Sequence, residues 1–137
     1  MLQYKQVKKG DINYMKDVRC RDVWWVNMED IFPQKEHAYK KIRPCVVISN
    51  GMNNTYNDYV TIVPLTTKYD GLPQHTDVYV KRVRNYCLPE WTTTVHKDFL
   101  LQKYFVISFT QYQRVLDSIL VQLGMKGHFF RRKERKL

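Results

Sequence analysis

The chain has 137 residues, of which 44% are hydrophobic and 26% are charged, as in one ordinary globular domain. No apolar run approaches the roughly 20 residues that span a bilayer, and no signal peptide is recognisable, so we expect no membrane contact and a cytoplasmic protein. Three cysteines without Cys-x-x-Cys spacing argue against a disulfide framework or a structural zinc site.

The net charge of +10 is concentrated at the two ends of the chain. Residues 1–19 carry +3, residues 20–124 carry +2, and residues 125–137 carry +5. An excess of Lys and Arg attracts phosphate backbones, although a basic tail often serves only solubility. We therefore expect a basic N-terminal extension (1–21), a folded domain (22–124) and a basic C-terminal tail (125–137).

Short strands dominate the pattern of the central domain. Residues 22–28, DVWWVNM, are rich in aromatic and β-branched side chains, which favour a strand. Residues 43–49, RPCVVIS, have a continuous apolar centre, which predicts a strand buried on both faces with Pro44 near its start. Further strands are predicted at 59–66, 75–81 and 92–95, with a loop over the Asn-rich residues 50–58. Sequential short strands predict an antiparallel barrel or a strongly curved sheet.

One helix is predicted at the end of the domain. Thr110 is the expected N-cap, and Gly124 stands where a C-cap glycine belongs. Apolar side chains recur between them at helical spacing: Tyr112, Val115, Leu116, Ile119, Leu120 and Leu123. We expect these side chains in the core or in a dimer contact.

Four segments, taken in order and with their intervals, resemble the PemK/MazF growth-inhibiting toxins over residues 22–124. They are DVWWVNM (22–28), RPCVVISN (43–50), IVPLTT (62–67) and LPQHTDV (72–78), of which the second is the strongest match. The chain departs from the family at Arg21, where a glycine is usual. The resemblance implies a mainly β fold, a small Src-homology-3-type antiparallel barrel with a C-terminal helix.

The resemblance also implies an activity and partners. Members of the family pair as homodimers with an RNA groove over the pair, cleave single-stranded RNA at a short preferred sequence, and are blocked by a cognate antitoxin. RNA carries its own nucleophile, so such a ribonuclease needs to deprotonate the 2′-hydroxyl, stabilise the phosphorane and protonate the leaving oxygen. No metal or cofactor is expected, and the products are a 2′,3′-cyclic phosphate and a 5′-hydroxyl.

Arg43 matches the family's catalytic arginine. Its planar guanidinium can bind two phosphate oxygens at once, which suits charge stabilisation. Thr66 matches the threonine that hydrogen-bonds the scissile phosphate, and Thr67 stays an alternative because a shift of one residue changes the face of a strand.

His96 and Asp98 occupy a place where some members carry an arginine and an aspartate that assist proton transfer. An imidazole titrates near neutrality and could act as acid or base, with Asp98 orienting the ring.

Lys40, Lys41 and Lys68 flank the proposed centre and are candidates to hold backbone phosphates. Four scattered histidines do not form a zinc motif; His75 is expected to position the turn at 72–73, and His37 lies in a loop near the site. The tryptophans are expected in the core, and Tyr69 is a candidate to stack bases.

Two other functions stay open. The same fold serves CcdB-like proteins that bind DNA gyrase without catalysis, although such a protein has no need of Arg43 and Thr66. A catalytically inactive RNA binder is the other alternative, favoured by the departure at Arg21 and by histidine at position 96.

Overall fold

The computed structural model describes residues 16–32 and 42–126. In chain order they form β1 (Asp22–Asn27), α1 (Met28–Ile31), β2 (Ile42–Val47), α2 (Gly51–Tyr56), β3 (Tyr59–Thr66), β4 (Asp77–Val80), β5 (Val83–Cys87), β6 (Thr93–His96), β7 (Leu100–Val106) and α3 (Phe109–Gln122). Short 3₁₀ turns at Pro89–Trp91 and Lys97–Phe99 precede β6 and β7. Within these residues, no helix is long and apolar enough to cross a membrane.

The strands form one curled antiparallel sheet in the order β4-β5-β3-β2-β1-β7. β6 pairs with the first half of β3, while β5 pairs with its last two residues. Ile62 pairs with both Val47 of β2 and Thr93 of β6, so β2 lies on one edge of β3 and β6 on the other. The predicted mainly β fold, a small Src-homology-3-type antiparallel barrel with a C-terminal helix, is therefore confirmed, and its sheet is a curled half-barrel.

Alternating side chains of the sheet supply two cores, one on each face. One core contains Trp24, Val26, Cys45, Val47, Val60, Ile62, Val95 and Leu100. The other contains Val23, Val46, Val63, Leu65, Val78, Val80, Cys87 and Ile107, and Val115 of α3 packs against it. The period of two in a strand explains this division, because neighbours in β1, β2 and β3 point to opposite faces. The expected burial of β2 on both faces is confirmed at Cys45, Val46 and Val47, and that of Trp24 and Trp25 is confirmed as well.

The predicted strands at 22–28, 43–49, 59–66, 75–81 and 92–95 are all present, with ends shifted by up to two residues. The predicted loop at 50–58 is wrong in part, since it contains the short helix α2. Asn50 caps this helix by accepting from the Asn53 N–H at 2.9 Å, and the buried Asn54 amide donates to the Ser49 carbonyl at 2.7 Å. These side-chain bonds turn Asn-rich sequence into a helical turn.

Two strands, β5 and β7, were not predicted from the sequence. β4 and β5 form a hairpin whose two-residue turn is Lys81-Arg82, with φ values of 50° and 68°. Positive φ at both turn residues defines the type I′ geometry, which Asn-Gly usually supplies. Lys-Arg carries no such signal, so the hairpin was invisible in the sequence.

Helix α3 begins slightly earlier than predicted, because its N-cap is Ser108 and not Thr110. The Ser108 hydroxyl accepts from the Gln111 N–H at 3.2 Å. The predicted C-cap glycine is confirmed, since Gly124 adopts a φ of 77°. The last residues of the helix leave Leu120 and Leu123 exposed, whereas Val115 is buried.

Helix α3 also covers the edge of the sheet. The Gln111 side-chain oxygen accepts from the Tyr79 backbone N–H at 2.7 Å, and Arg114 Nε donates to the Asp77 carbonyl at 2.7 Å. Arg114 forms an ion pair with the Asp77 carboxylate as well. Burial tends to raise the pKa of Asp77, but the hydrogen bonds and charges of Arg114 and Arg84 outweigh it and hold that pKa below its usual range. Backbone groups of the edge strand β4 are thus paired with the helix.

The described part of the expected N-terminal extension, residues 16–21, packs against the domain instead of standing apart. Val18 is only 5% exposed in the first core, and the Lys16 ammonium donates to the Leu100 carbonyl at 2.6 Å. The Arg21 N–H donates to the Val47 carbonyl at 2.9 Å. An apolar contact and backbone bonds therefore attach this segment, while residues 1–15 and 127–137 lie outside the described residues.

The strained turn provides a test of the hairpin. Left-handed backbone costs a non-glycine residue about 1–2 kcal/mol, while glycine adds about 0.5–1 kcal/mol of conformational freedom to the unfolded chain. Arg82→Gly is therefore expected to raise the free energy of unfolding by up to about 1 kcal/mol, measured by urea denaturation. Val83→Gly, at a neighbouring position without positive φ, is the matched control and is expected to destabilise. A less stable Arg82→Gly protein would contradict the type I′ geometry.

Candidate functional site

Arg43 and Thr66 come together through the register of β2 and β3. These strands pair Cys45 with Pro64 and Val47 with Ile62. Continued two residues toward the start of β2, this register sets Arg43 level with Thr66. Residues level with each other in an antiparallel pair share a face, with Cβ atoms about 5 Å apart. By this extension of the register, the two side chains named by the family resemblance point to the same face at one end of the sheet, and both are half-buried.

The Thr66 hydroxyl is oriented by the turn that follows it. The Lys68 N–H donates to Thr66 Oγ1 at 3.2 Å. Because that bond uses the oxygen as acceptor, the hydroxyl proton is left to donate to another group. Thr67 lies beyond the end of β3 and is exposed, as is Lys68. Of the two threonines, Thr66 is the one that the register aligns with Arg43.

The loop after Thr66 is held by a buried histidine. His75 Nδ1 lies 2.7 Å from Asp70 Oδ1, and His75 Nε2 lies 2.6 Å from Glu90 Oε2. The ring is 2% exposed, so its two carboxylate contacts bridge the loop to the turn at Pro89–Trp91. The Leu72 N–H, and then His75, hold the pKa of Asp70 below its usual range. His75 thus fixes the segment that carries Thr67 and Lys68, in line with its expected positioning role.

The structure does not bring His96 and Asp98 to Arg43 within one chain. His96 pairs with Tyr59, at the opposite end of β3 from Thr66. The length of the strand separates them by roughly 20 Å, and the odd interval from Tyr59 to Thr66 points the two side chains to opposite faces. His96 caps the turn at 97–99, where its Nδ1 accepts from the Asp98 N–H at 3.0 Å. The carboxylate and ring atoms, Asp98 Oδ2 and His96 Nδ1, are 3.7 Å apart.

Other predicted site residues fall elsewhere. Lys40, Lys41 and His37 lie outside the described residues. Within residues 16–32 and 42–126, no three His, Cys, Asp or Glu side chains form a candidate metal site.

The cysteines of the sheet are packing residues. Cys45 and Cys87 are fully buried, and burial raises the pKa of the Cys87 thiol to about 12 and that of Cys45 further still. Buried thiols that stay protonated are poor nucleophiles.

Arg21, the departure from the family, has a structural explanation. Its φ is 78°, so a glycine would suit the backbone there. The guanidinium instead donates to the Ile107 carbonyl at 2.7 Å and lies 3.9 Å from the centre of the Phe109 ring. These contacts offset the cost of the left-handed backbone.

Arg21 also lines a shallow cleft between the β4–β5 turn and the start of α3. The cleft has a volume of about 950 Å³ and no acidic lining residue; it is lined by Arg21, Tyr79, Lys81, Arg82, Phe105, Val106, Ile107, Ser108 and Gln111. Among the described residues, three non-glycine residues have positive φ: Arg21, Lys81 and Arg82. All three are basic, and all three line this cleft.

Sequence reasoning missed one further residue at the Arg43 end of the sheet. Tyr86 of β5 pairs directly with Thr66 and shares its face of the sheet. Tyr86 was missed because strand β5 was not predicted, since the Lys-Arg turn before it lacks the residues that usually indicate a hairpin. The alternation of Val83, Asn85 and Cys87 with Arg84 and Tyr86 was the only local clue.

Solved structures with this fold include bacterial toxins and nucleases. An endoribonuclease from a mycobacterial species has a TM-score of 0.63 at 17% identity, covering 84% of this chain and 99% of that one. MazF from Deinococcus radiodurans has a TM-score of 0.64 at 18% identity, covering 79% and 97%. A mycobacterial endoribonuclease in complex with its cognate antitoxin has a TM-score of 0.63 at 17% identity, covering 80% and 98%.

At 17–18% sequence identity, the likeness to these solved structures shows only that the chain shares their fold. Among curated proteins, no sequence matches the chain significantly. The family model for the PemK-like, MazF-like toxins of type II toxin-antitoxin systems matches residues 19–123, which is most of the chain. This match shows that the chain belongs to the PemK-like, MazF-like toxin family.

Proposed function

We propose that the chain is an endoribonuclease that cleaves single-stranded messenger RNA at a short preferred sequence. The observation that supports the proposal is the β2–β3 register, which brings Arg43 and Thr66 to one face of the sheet when it is extended two residues past Cys45 and Pro64. Membership in the toxin family and the fold shared with two endoribonucleases support it. A gyrase-binding protein of the same fold would not need this pair of side chains.

In the proposed reaction the 2′-oxygen of the RNA attacks the adjacent phosphorus. The O2′–P bond forms, the P–O5′ bond breaks, the 2′-proton is removed and the 5′-oxygen gains a proton. The products are a 2′,3′-cyclic phosphate and a 5′-hydroxyl. The Arg43 guanidinium balances the charge that develops on the phosphorane, and the Thr66 hydroxyl donates to a non-bridging oxygen. Lys68 adds positive charge beside them, and the reaction is proposed to proceed without a metal or cofactor.

The proposed setting of the enzyme follows its family. We propose that it acts in the cytoplasm as a homodimer and that a cognate antitoxin neutralises it, by analogy with the mycobacterial endoribonuclease solved in complex with its own antitoxin. Exposed apolar side chains near the two ends of α3, Phe109 at 73% and Leu123 at 67%, are available for contacts between chains. Lys40 and Lys41 are proposed to hold RNA phosphates, and the basic termini are proposed to add non-specific attraction to RNA.

Arg43→Ala tests the proposal directly. Removing the charge that stabilises the phosphorane is expected to lower kcat by about 10²–10³-fold without unfolding the protein. The measurement is cleavage of a long single-stranded RNA in excess chelator, with mapping of the ends. Arg19→Ala removes an exposed arginine that is not part of the β2–β3 row and is the matched control. Parent-like cutting by Arg43→Ala would refute the assignment, and cutting that needs added divalent metal would refute metal independence.

A pair of valine variants separates the two threonines. Valine keeps the shape of threonine and removes the hydroxyl, so Thr66→Val is expected to slow cleavage by about 10-fold through loss of one hydrogen bond to the charged phosphate. Thr67→Val is the control and is expected to cut at the parent rate. The reverse order of the two rates would assign the phosphate contact to Thr67.

A role for His96 and Asp98 in proton transfer beside Arg43 needs a second copy of the chain, whose His96 and Asp98 would lie near the first chain's Arg43. On that proposal His96→Ala slows cleavage and flattens the alkaline limb of the pH–rate profile, because the variant lacks the imidazole that protonates the leaving oxygen. His96→Asn keeps an acceptor for the Asp98 N–H and is the control for turn capping. Parent-like rates and profiles in both variants would leave His96 with its capping role alone.

A further inference from the structure

The outer face of the β4–β5 hairpin carries a row of aromatic and guanidinium groups that begins beside Thr66. Tyr86 pairs with Thr66, and Tyr79 pairs with Arg84, so Tyr86, Arg84 and Tyr79 share the face of Thr66 while Val78 and Val80 point into the core. We call Tyr69, Tyr86, Arg84 and Tyr79 the aromatic strip. Strands lie about 4.8 Å apart, which puts Tyr86 roughly 10 Å from Arg43.

Two tyrosines of the strip are stacked, and the Arg84 guanidinium lies near two tyrosine rings. Tyr69 folds back from the loop after β3 and stacks on Tyr86, with ring centres 4.7 Å apart and an interplanar angle of 29°. The Arg84 guanidinium carbon lies 5.9 Å from the Tyr86 ring centre and 5.8 Å from that of Tyr79, so it sits between the two tyrosines. The strip therefore groups three aromatic rings with one cation, and Tyr69 is the ring that covers Tyr86.

The strip is open to solvent and held in place from below. Tyr69 is 56% exposed and Tyr79 is 42% exposed, and the Arg84 side chain is 56% exposed. Arg84 Nη2 lies 3.1 Å from Asp77 Oδ2, and Asp77 is paired in turn with Arg114 of α3. Two arginines share one carboxylate, so the surface keeps a net positive charge. The His75 bridge fixes the loop that carries Tyr69.

Exposed tyrosines held in contact need an explanation, since large aromatic side chains grouped on a protein surface are typical of binding sites. Aromatic faces with an adjacent guanidinium bind unpaired nucleobases by stacking, which every base can do. Bases inside a duplex are stacked on their own neighbours and cannot reach such a surface.

We propose that the aromatic strip is a stacking subsite for the unpaired bases next to the phosphate that Arg43 and Thr66 hold. The inference rests on the proposed function for its location beside the reacting phosphate. It assigns to Tyr69, Tyr86, Arg84 and Tyr79 the preference of the site for single strands, with bases recognised by stacking and the backbone by charge.

The test measures binding without cleavage, in the full-length chain carrying Arg43→Ala. Three labelled probes of equal length are compared by fluorescence anisotropy: a single-stranded RNA of about 12 nucleotides, the same strand in a duplex, and an abasic ribose-phosphate chain. Tyr69→Leu keeps an apolar side chain and removes the ring, and it is expected to weaken binding of the single-stranded RNA by about 10-fold. Binding of the abasic chain and of the duplex is expected to stay within about twofold of the parent, because neither presents an unpaired base.

Controls separate stacking from packing. Tyr69→Phe keeps the ring and is expected to bind all three probes like the parent. Tyr56→Leu removes a tyrosine that is 79% exposed on α2, outside the strip, and is expected to change nothing. Tyr86→Leu is expected to bind the three probes like Tyr69→Leu. Because Tyr86 is half-buried, thermal unfolding of the Tyr86→Leu variant is measured in parallel. If the Tyr86→Leu variant does not fold, the result for Tyr69→Leu decides the test.

Two results would overturn the proposal. Parent-like binding of single-stranded RNA by Tyr69→Leu would show that the strip does not stack bases. An equal loss for single-stranded RNA and the abasic chain would assign Tyr69 to positioning of the loop. The proposed function is tested separately by cleavage. If the chain with Arg43 intact does not cleave RNA, the proposed function is wrong, and this result does not depend on how the Tyr69 variants bind the probes.

Discussion

The burial of β3 on both faces is the constraint on which the rest of the structure depends. Val60 and Ile62 fill one core while Val63 and Leu65 fill the other, and all four are fully buried. Burying such a side chain is worth about 1.5–3 kcal/mol, so a shift of β3 by one residue would exchange the two cores at large cost. The strand also pairs with β2, β5 and β6. Its register therefore decides which residues of β2 and β5 lie near Thr66, and which residue of β6 lies at the far end of the strand.

That constraint makes the candidate site a consequence of packing. The apolar residues of β2 and β3 set the register, and the register then sets Arg43 beside Thr66 at the end of the ladder. A guanidinium held on a buried strand loses less conformational freedom on binding a phosphate than one on a free loop. Rigid placement of charge is what stabilisation of a phosphorane requires, since groups already in position need no reorganisation during the reaction.

Strain and polar bridges fix the surroundings of the site. The β4–β5 turn contains two left-handed residues, and the hairpin offsets their strain by contributing Val78 and Val80 to the core. The loop between β3 and β4 has few apolar anchors, and the buried His75 ring joins it to the turn at Pro89–Trp91 instead. Helix α3 pairs with the exposed edge of β4 through side chains, which protects that edge from pairing with other chains.

The sequence by itself determined the strands with strong local composition, β1, β2 and β3, and the family motifs that single out Arg43 and Thr66. Local patterns suffice there because aromatic and β-branched runs favour strands wherever they occur. Only the tertiary structure decided which residues face one another. Register and face arise from pairing between distant segments, so local sequence does not reveal them. Three features could therefore not be predicted from the sequence: strand β5 after its Lys-Arg turn, the alignment of Tyr86 with Thr66, and the position of His96 at the far end of β3. The same physical reason separates Thr66 from Thr67: neighbours in sequence are equivalent in a motif, but the pleat of a strand sends them in different directions.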